Sequence, residues 1–454
     1  MIKRSAIAGV AIMMTLFAAP ALRAETLADT LAAAYANSGL LDQNRALLRA
    51  ADENVAQSVA ATLPVINWAM STSRTYNSAA VTQTTTATTA RISGSLTLYD
   101  GGANRLAVES QKEIVLSTRQ SLRGIEQDVL LRAVQAYMNV RREREFVELR
   151  QNNQRLITQE LQAARDRFEV GEVTRTDVSL AQARLAGSQS QLAAAQGSLA
   201  QSIEEFRAAV GRAPSGSGAA SPAPVLQSVQ EAKAFALRNH PAVQEVQHSV
   251  AAAELAVRRG EAALRPTLSM DSFVALDDEW NETAQIGLSL GGPIYSGGAI
   301  SSQIRQLQAN RDASRAGLHV AMIGVEQQVG NAYAALQVAR ASAQASDQQI
   351  DAARIAFEGV REEAALGSRT TLDVLNAEQE LLDAQANRIA ADVDEVIASY
   401  SVLAAMGLLT AEHLQLPVQQ YDVSAYYNLV NNSPLTGSPQ GEALDRVLEA
   451  LSRD

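Results

Sequence analysis

Hydrophobic and polar positions along this chain change period several times, and the changes come in the same order twice. Apolar residues recur at helical spacing from Leu27 to Ala36, break at Asn37-Ser38-Gly39, and resume from about Leu40 to Ala61. Leu63-Pro64 follows, where proline disfavours continuation of the helix. The second half has the same layout: Val229 to Arg238, a break at Asn239-His240-Pro241, then a helix reaching Leu264 before Arg265-Pro266. Asn37 and Asn239 lie 202 residues apart, as do Pro64 and Pro266. The period then drops to two, as in strands with unlike faces. From Pro64 to Tyr76, Ile66, Trp68 and Met70 face one way and Asn67, Ser71 and Ser73 the other, and Arg91 to Leu98 alternates in the same manner. The Thr-rich stretch Val81 to Thr89 is expected to link these two strands. In the second half, Leu268, Met270, Val274 and Leu276 alternate with Thr267, Ser269 and Asp271. After a turn at 277–281, Ala284, Ile286, Leu288 and Leu290 alternate with Gln285, Gly287 and Ser289. The pattern predicts two strand hairpins, 63–99 and 266–295, each with one oily and one small polar face.

Each hairpin ends in a Tyr followed by two glycines: Tyr99-Asp100-Gly101-Gly102 and Tyr295-Ser296-Gly297-Gly298. These glycines are expected to act as hinges from strand into helix; the spacing matches neither phosphate-binding glycine pattern. Helices are predicted from Ala103 to Glu169 and from Ala299 to Ala365, each spanning roughly 100 Å at 1.5 Å per residue. Turns at 170–177 and 366–373 follow, then helices from Thr176 to Val210 and Leu372 to Met406, stopped by Gly211 and Gly407. Tyr99 and Tyr295, Tyr137 and Tyr333, Gly171 and Gly367, Thr174 and Thr370, and Asp177 and Asp373 are all 196 residues apart. A constant offset across several residue types marks an internal repeat. The copies run over 25–211 and 228–407, joined by a Pro/Gly/Ser/Ala-rich linker at 212–227 and followed by a polar tail at 408–454. A short helix is expected in that tail from Glu442 to Leu451. Each copy reads as a two-lane rod, with one continuous long helix beside a lane built from two shorter ones.

Composition fits rods better than a compact core. Of 454 residues, 47% are hydrophobic but only 4% aromatic, so Ala and aliphatic residues carry the apolar content, as suits closely packed long helices. Residues 1–24 read as a secretory signal peptide. Lys3 and Arg4 supply its charge, Ile7 to Phe17 its apolar centre and Ala19-Pro20-Ala21 or Leu22-Arg23-Ala24 its small-residue exit, with cleavage expected after Ala24. The apolar run is shorter than the roughly 18 residues of a membrane span. Losing Lys3, Arg4 and Arg23 takes the formal charge from −11 to −14. No basic run exists to neutralise phosphates, which argues against nucleic acid as a partner. Cysteine is absent, so there is neither a disulfide framework nor a thiol to carry a lipid. His240, His248, His319 and His413 are scattered outside any metal-ligand pattern, and His240 and His248 read as ordinary helix-surface residues. No enzyme and no cofactor is expected.

Two readings of the strand hairpins stand. Their oily face covers a soluble core, or it faces lipid while the polar face lines a watery lumen; the length and polarity of the flanking helices favour lipid. Four strands cannot close a barrel, and open edges in lipid leave backbone groups unsatisfied, so a membrane reading requires assembly with further copies. At the turns, Thr174-x-x-Asp177 and Thr370-x-x-Asp373 fit helix capping boxes, which by itself explains both aspartates.

The repeat, LYDGG and PIYSGG after the hairpins, RFEVGEVTRTDV and ALGSRTTLDVLNAEQEL at the turns, and the closing AMGLL together resemble the TolC family of outer-membrane efflux and secretion channels. The resemblance covers nearly the whole chain after residue 24. It implies a mixed α/β membrane protein: a homotrimer with a twelve-stranded β-barrel in outer-membrane lipid, four strands per chain, continued by a long α-helical barrel through the periplasm. It also implies two partners, a periplasmic adaptor (membrane fusion protein) and an inner-membrane transporter of the ABC or RND type. The cargo would be protein, as in type I secretion, or drugs. By the same resemblance, Val170, Gly171, Leu366 and Gly367 would form the tips that dock the adaptor. Asp373 would form an acidic constriction ring whose second member is replaced here by Asn376. Arg369, Thr176 and Asp177 would bridge neighbouring subunits, and a further tyrosine link of some members is Ala364 in this chain. The alternatives are a periplasmic adaptor or a structural coiled-coil protein of the envelope.

Overall fold

The computed structural model describes residues 25–77, 83–216, 218–434 and 437–451. The expected signal peptide and Val81 lie outside them. Two short helices open the described chain, α1 (Leu27–Asn37) and α2 (Gly39–Ala60). Thr26 caps α1 through a reciprocal bond with Asp29, and Ser38 caps α2. The strands β1 (Val65–Asn77) and β2 (Gln83–Tyr99) lead into α3 (Ala103–Glu169), which returns as α4 (Arg175–Val210). The second copy follows with α5 (Val229–Asn239), α6 (Pro241–Ala262), β3 (Thr267–Asp277), β4 (Glu282–Gly291), α7 (Ala299–Ala365) and α8 (Thr371–Ala405). The tail holds α9 (Ala425–Val430) and α10 (Pro439–Leu451).

Long helices form the rods. Both α3 and α7 are 67 residues long. Lanes α2 and α4 pack along α3, α6 and α8 pack along α7, and α6 also lies on α3, which joins the copies side by side. The core is an aliphatic seam between helices rather than a globular centre: Leu31, Leu48, Val55, Leu130, Val134, Met138 and Phe206 are all buried. Tyr137 and Tyr333 sit at matching heights on the two long helices and tie down the linker between copies. Tyr137 Oη donates to the carbonyls of Glu25 and Gly218, both at 2.9 Å, and Tyr333 Oη donates to that of Leu226, also at 2.9 Å. Removing the hydroxyl by Tyr137→Phe is expected to cost about 1–2 kcal/mol, since the ring stays packed while buried hydrogen bonds are lost. The midpoint of unfolding should fall while strand content is unchanged.

Three elements differ from the sequence expectation. Gln83–Thr89 belongs to β2 instead of a link: Thr84 to Thr89 pair with Tyr76 back to Ser71, because β-branched threonines suit a strand although they give no alternation to read. Conversely, β4 stops at Gly291, so the second hairpin is shorter than 266–295. The last pair is Thr267 with Gly291, and beyond it neither Pro266 on the partner side nor Pro293 after β4 has an N–H to continue the ladder. Helix α9 was not foreseen; Tyr426 and Val430 on it are buried against Ala56 of α2, and Tyr426 Oη donates to Glu53 at 2.6 Å.

Candidate functional site

All four strands form one antiparallel sheet in the order β1-β2-β3-β4. Residues paired across antiparallel strands project to the same face, so the register shows which side chains share it. Ile66, Gly94, Ser272 and Ile286 form one row, and Trp68, Ile92, Val274 and Ala284 the next. The opposite face carries Asn67, Ser93, Phe273 and Gln285, with the Arg91 guanidinium 3.6 Å from the centre of the Phe273 ring. Nothing in the described chain covers the oily face. Trp68 is 81% exposed and Ile286 75%, and Leu288 and Leu290 are similarly bare. A contiguous apolar surface of this kind needs lipid or a partner over it, so the soluble-core reading has no core to point to. No helix among the described residues is long and apolar enough to cross a membrane, which leaves the strands as the candidates.

The passage from strand to helix is tight. Gly101 and Gly102 hold φ of +68° and +88°, and Gly297 and Gly298 φ of +62° and +85°. At Gly101 a Cβ would also meet the Arg265 side chain at 2.8 Å, where Arg265 donates to the Gly101 carbonyl at 2.9 Å. Asp100 accepts from the backbone N–H of Gly102 and Asn104, capping the start of α3.

At the far ends of the rods the two turns are near copies. Each long helix ends in a paired-bond cap: Glu172 N–H donates to Arg167 and Gly171 N–H to Phe168, matched by Ser368 to Glu363 and Gly367 to Ala364. Gly171 and Gly367 take left-handed φ of +82° and +80°. Val170 and Leu366, just before them, project outward at 73% and 86% exposure. Both capping boxes are formed: Asp177 accepts from Thr174 N–H at 2.9 Å, and Asp373 from Thr370 N–H at 3.0 Å. Hydrogen bonds from the Thr174 hydroxyl and backbone hold Asp177 below the usual carboxylate range, and those from the Thr370 backbone and hydroxyl do the same for Asp373. A lowered pKa contributes stability that is complete above the unfolded value and lost on acidification below it, so both caps are intact at neutral pH.

Arg369 turns back onto its own turn, its Nε 2.8 Å from Glu363 Oε2, and Thr176 lies exposed in the first turn of α4. Asn376 accepts from Arg184 Nη2 at 3.1 Å, which links α8 to α4 across the two hairpins. The sequence reading missed Arg184, whose partner is 192 residues away and follows no local period. It also missed Glu378, which is 5% exposed although a carboxylate. The available signal was its place in the stripe Leu375, Glu378, Leu382, where an apolar residue belongs. His240 is likewise no surface residue: it is buried, and its Nδ1 accepts from Ala242 N–H at 3.1 Å to cap α6. Burial holds its pKa down.

The same fold occurs in the Campylobacter jejuni CmeC outer membrane channel, with a TM-score of 0.77 over 90% of each chain at 15% identity. Paired helical rods carrying a four-stranded sheet with one bare face are thus a fold shared with a solved outer-membrane channel. The profile of the outer membrane efflux protein family matches residues 30–212 and 235–408. The outer membrane efflux protein BepC of Brucella suis is 36% identical over 433 residues, 94% of each chain. The alkaline protease secretion protein AprF of Pseudomonas aeruginosa is 27% identical over 66% of each. This chain belongs to the outer membrane efflux protein family.

Proposed function

We propose that three copies of this chain form the passive outer-membrane channel and periplasmic tunnel of a tripartite export system. The observation that carries this reading is the bare apolar face of a sheet held at one end of rods roughly 100 Å long. Three sheets of four strands make a closed twelve-stranded barrel with no edges left in lipid. The adaptor and structural coiled-coil alternatives leave that face without a purpose. Residues 1–24 would be removed on export, the copies at 25–211 and 228–407 would each supply one hairpin to the barrel and one rod to the tunnel, and 212–227 would tie them.

At the tips, Val170, Gly171, Leu366 and Gly367 are the exposed surface for a periplasmic adaptor, which would couple the tunnel to an inner-membrane transporter of the ABC or RND type. AprF is named for protease secretion, which favours protein cargo. Asp373, beside Asn376, Arg369, Thr176 and Asp177, would line the closing mouth. Threefold symmetry would bring three Asp373 carboxylates around one axis, where they attract cations. The purified chain is expected to form cation-selective pores in planar bilayers, and Asp373→Asn to reduce both selectivity and block by multivalent cations. Absence of pores refutes the channel. Pores unaffected by Asp373→Asn refute the ring and leave Asp373 as a cap.

A further inference from the structure

Among the described residues near the tips, Glu378 is a buried carboxylate whose role neither capping nor docking explains. It lies on α8 just past the turn, in the seam with the buried Leu375 and Leu382, at a spacing that in paired helices holds apolar knobs. Both of its carboxylate oxygens are buried without a hydrogen-bond partner among the described residues. Three other helices contribute charges around it. Glu160 on α3 opposes its ionisation, while Arg361 on α7 and Arg184 on α4 favour it. The two arginines are already engaged: Arg361 Nε is 3.9 Å from Glu160 Oε1, and Arg184 donates to Asn376. On its own helix, Asp373 is occupied by the Thr370 cap.

We propose that Glu378 is a proton-operated latch between the two tip hairpins of one chain, holding α8 packed while its carboxyl is neutral and loosening it on ionisation. The inference rests on the reading of the tips as the mouth of a channel. An ionised carboxylate without partners in a seam is costly, so the packed arrangement binds the proton more tightly than a parted one. Burial, with Glu160 adding to it, raises the group from 4.5 to about 7. The sign follows. The packed form carries no penalty below the ordinary value, the penalty grows as pH rises between the two values, and it is complete above about 7. A shift of this size corresponds to a change on the order of 100-fold in the balance between packed and parted hairpins.

Two readouts on the full chain test this. In planar bilayers at fixed ionic strength, the open fraction of the wild-type pore should rise as pH is raised from 5 to 8.5, and Glu378→Gln should stay at the low-pH value throughout. Glu160→Gln should move the midpoint to lower pH and Arg361→Gln to higher pH. Independently of conductance, hydrogen exchange corrected for its intrinsic pH dependence should show protection of Thr371 to Leu382 falling above neutrality in wild type and persisting in Glu378→Gln. Protection that does not change with pH in wild type, or that falls equally in Glu378→Gln, overturns the latch whether or not the pore conducts. Absence of conductance with the exchange pattern intact overturns the channel reading instead.

Discussion

Arginine at Ile286 should abolish accumulation of the assembled protein in the outer membrane, whereas arginine at the adjacent Gln285 should be tolerated. The two positions are neighbours on β4 and differ in which face they serve. Ile286 shares its row with Ile66 on the bare apolar side, and Gln285 shares its row with Asn67 and Ser93 on the polar side. Near the bilayer midplane a lipid-facing arginine costs about 2–4 kcal/mol, and a lumen-facing one remains in water. Threefold assembly would apply that penalty three times, about 6–12 kcal/mol in all, comparable with the whole stability of about 5–15 kcal/mol of a typical domain. The measurement is the amount of heat-resistant oligomer in outer-membrane fractions. Equal loss at both positions would show that the sheet is generally fragile, and no loss at Ile286 would remove lipid from that face.

Export should likewise be lost when both tip glycines are replaced by valine, with the oligomer still formed. No heavy atom lies within 4 Å of a Cβ built at Gly171 or Gly367, so the new side chains meet open space. The strain is in the backbone: φ near +80° is unfavourable for a β-branched residue, at a cost of about 1–3 kcal/mol for each turn. That cost falls on an exposed turn and leaves the seams of the rods intact. Asparagine tolerates the left-handed region, so the double Asn variant separates two causes. If it restores export, the turn conformation is what the partner needs; if it does not, the partner needs the bare backbone. Secretion of cargo is the readout, and full secretion by the valine variant would rule out docking at these turns.

Much of this architecture was legible because it is written in local period and repeated. The 196-residue offset between Tyr137 and Tyr333 required two unbroken registers, and both long helices start and end at the expected residues. Strand faces could be read from β1, β3 and β4, where side-chain character alternates. They could not be read from Thr84 to Thr89, where neighbouring residues are nearly identical and only pairing with β1 shows a strand. Pro293, which has no N–H, was a local warning that β4 ends early, whereas the end of its partner strand at Pro266 lies across the sheet. Helix α9 is held by Tyr426 on Glu53, and the tip link joins Arg184 to Asn376. Such pairs come from folding distant segments together, and no window of sequence contains both partners.

The sheet's topology also bears on the order of events expected during folding. Strands β2 and β3 are neighbours, yet the 167 residues from Asp100 to Pro266 separate them. Closing so long a loop costs about 4–5 kcal/mol in chain entropy beyond the fixed term if it must be done by two strands alone. Helices formed beforehand would remove that barrier. Rods α3/α4 form from turns a few residues long, and α6 then docks on α3, which sets Arg265 against the Gly101 carbonyl at 2.9 Å. From that clamp the two strands start side by side, and their pairing becomes as local as a hairpin. Low-contact-order helices are therefore expected to mature first and the long-range strands last, which would leave the apolar face unassembled until its helical scaffold is in place.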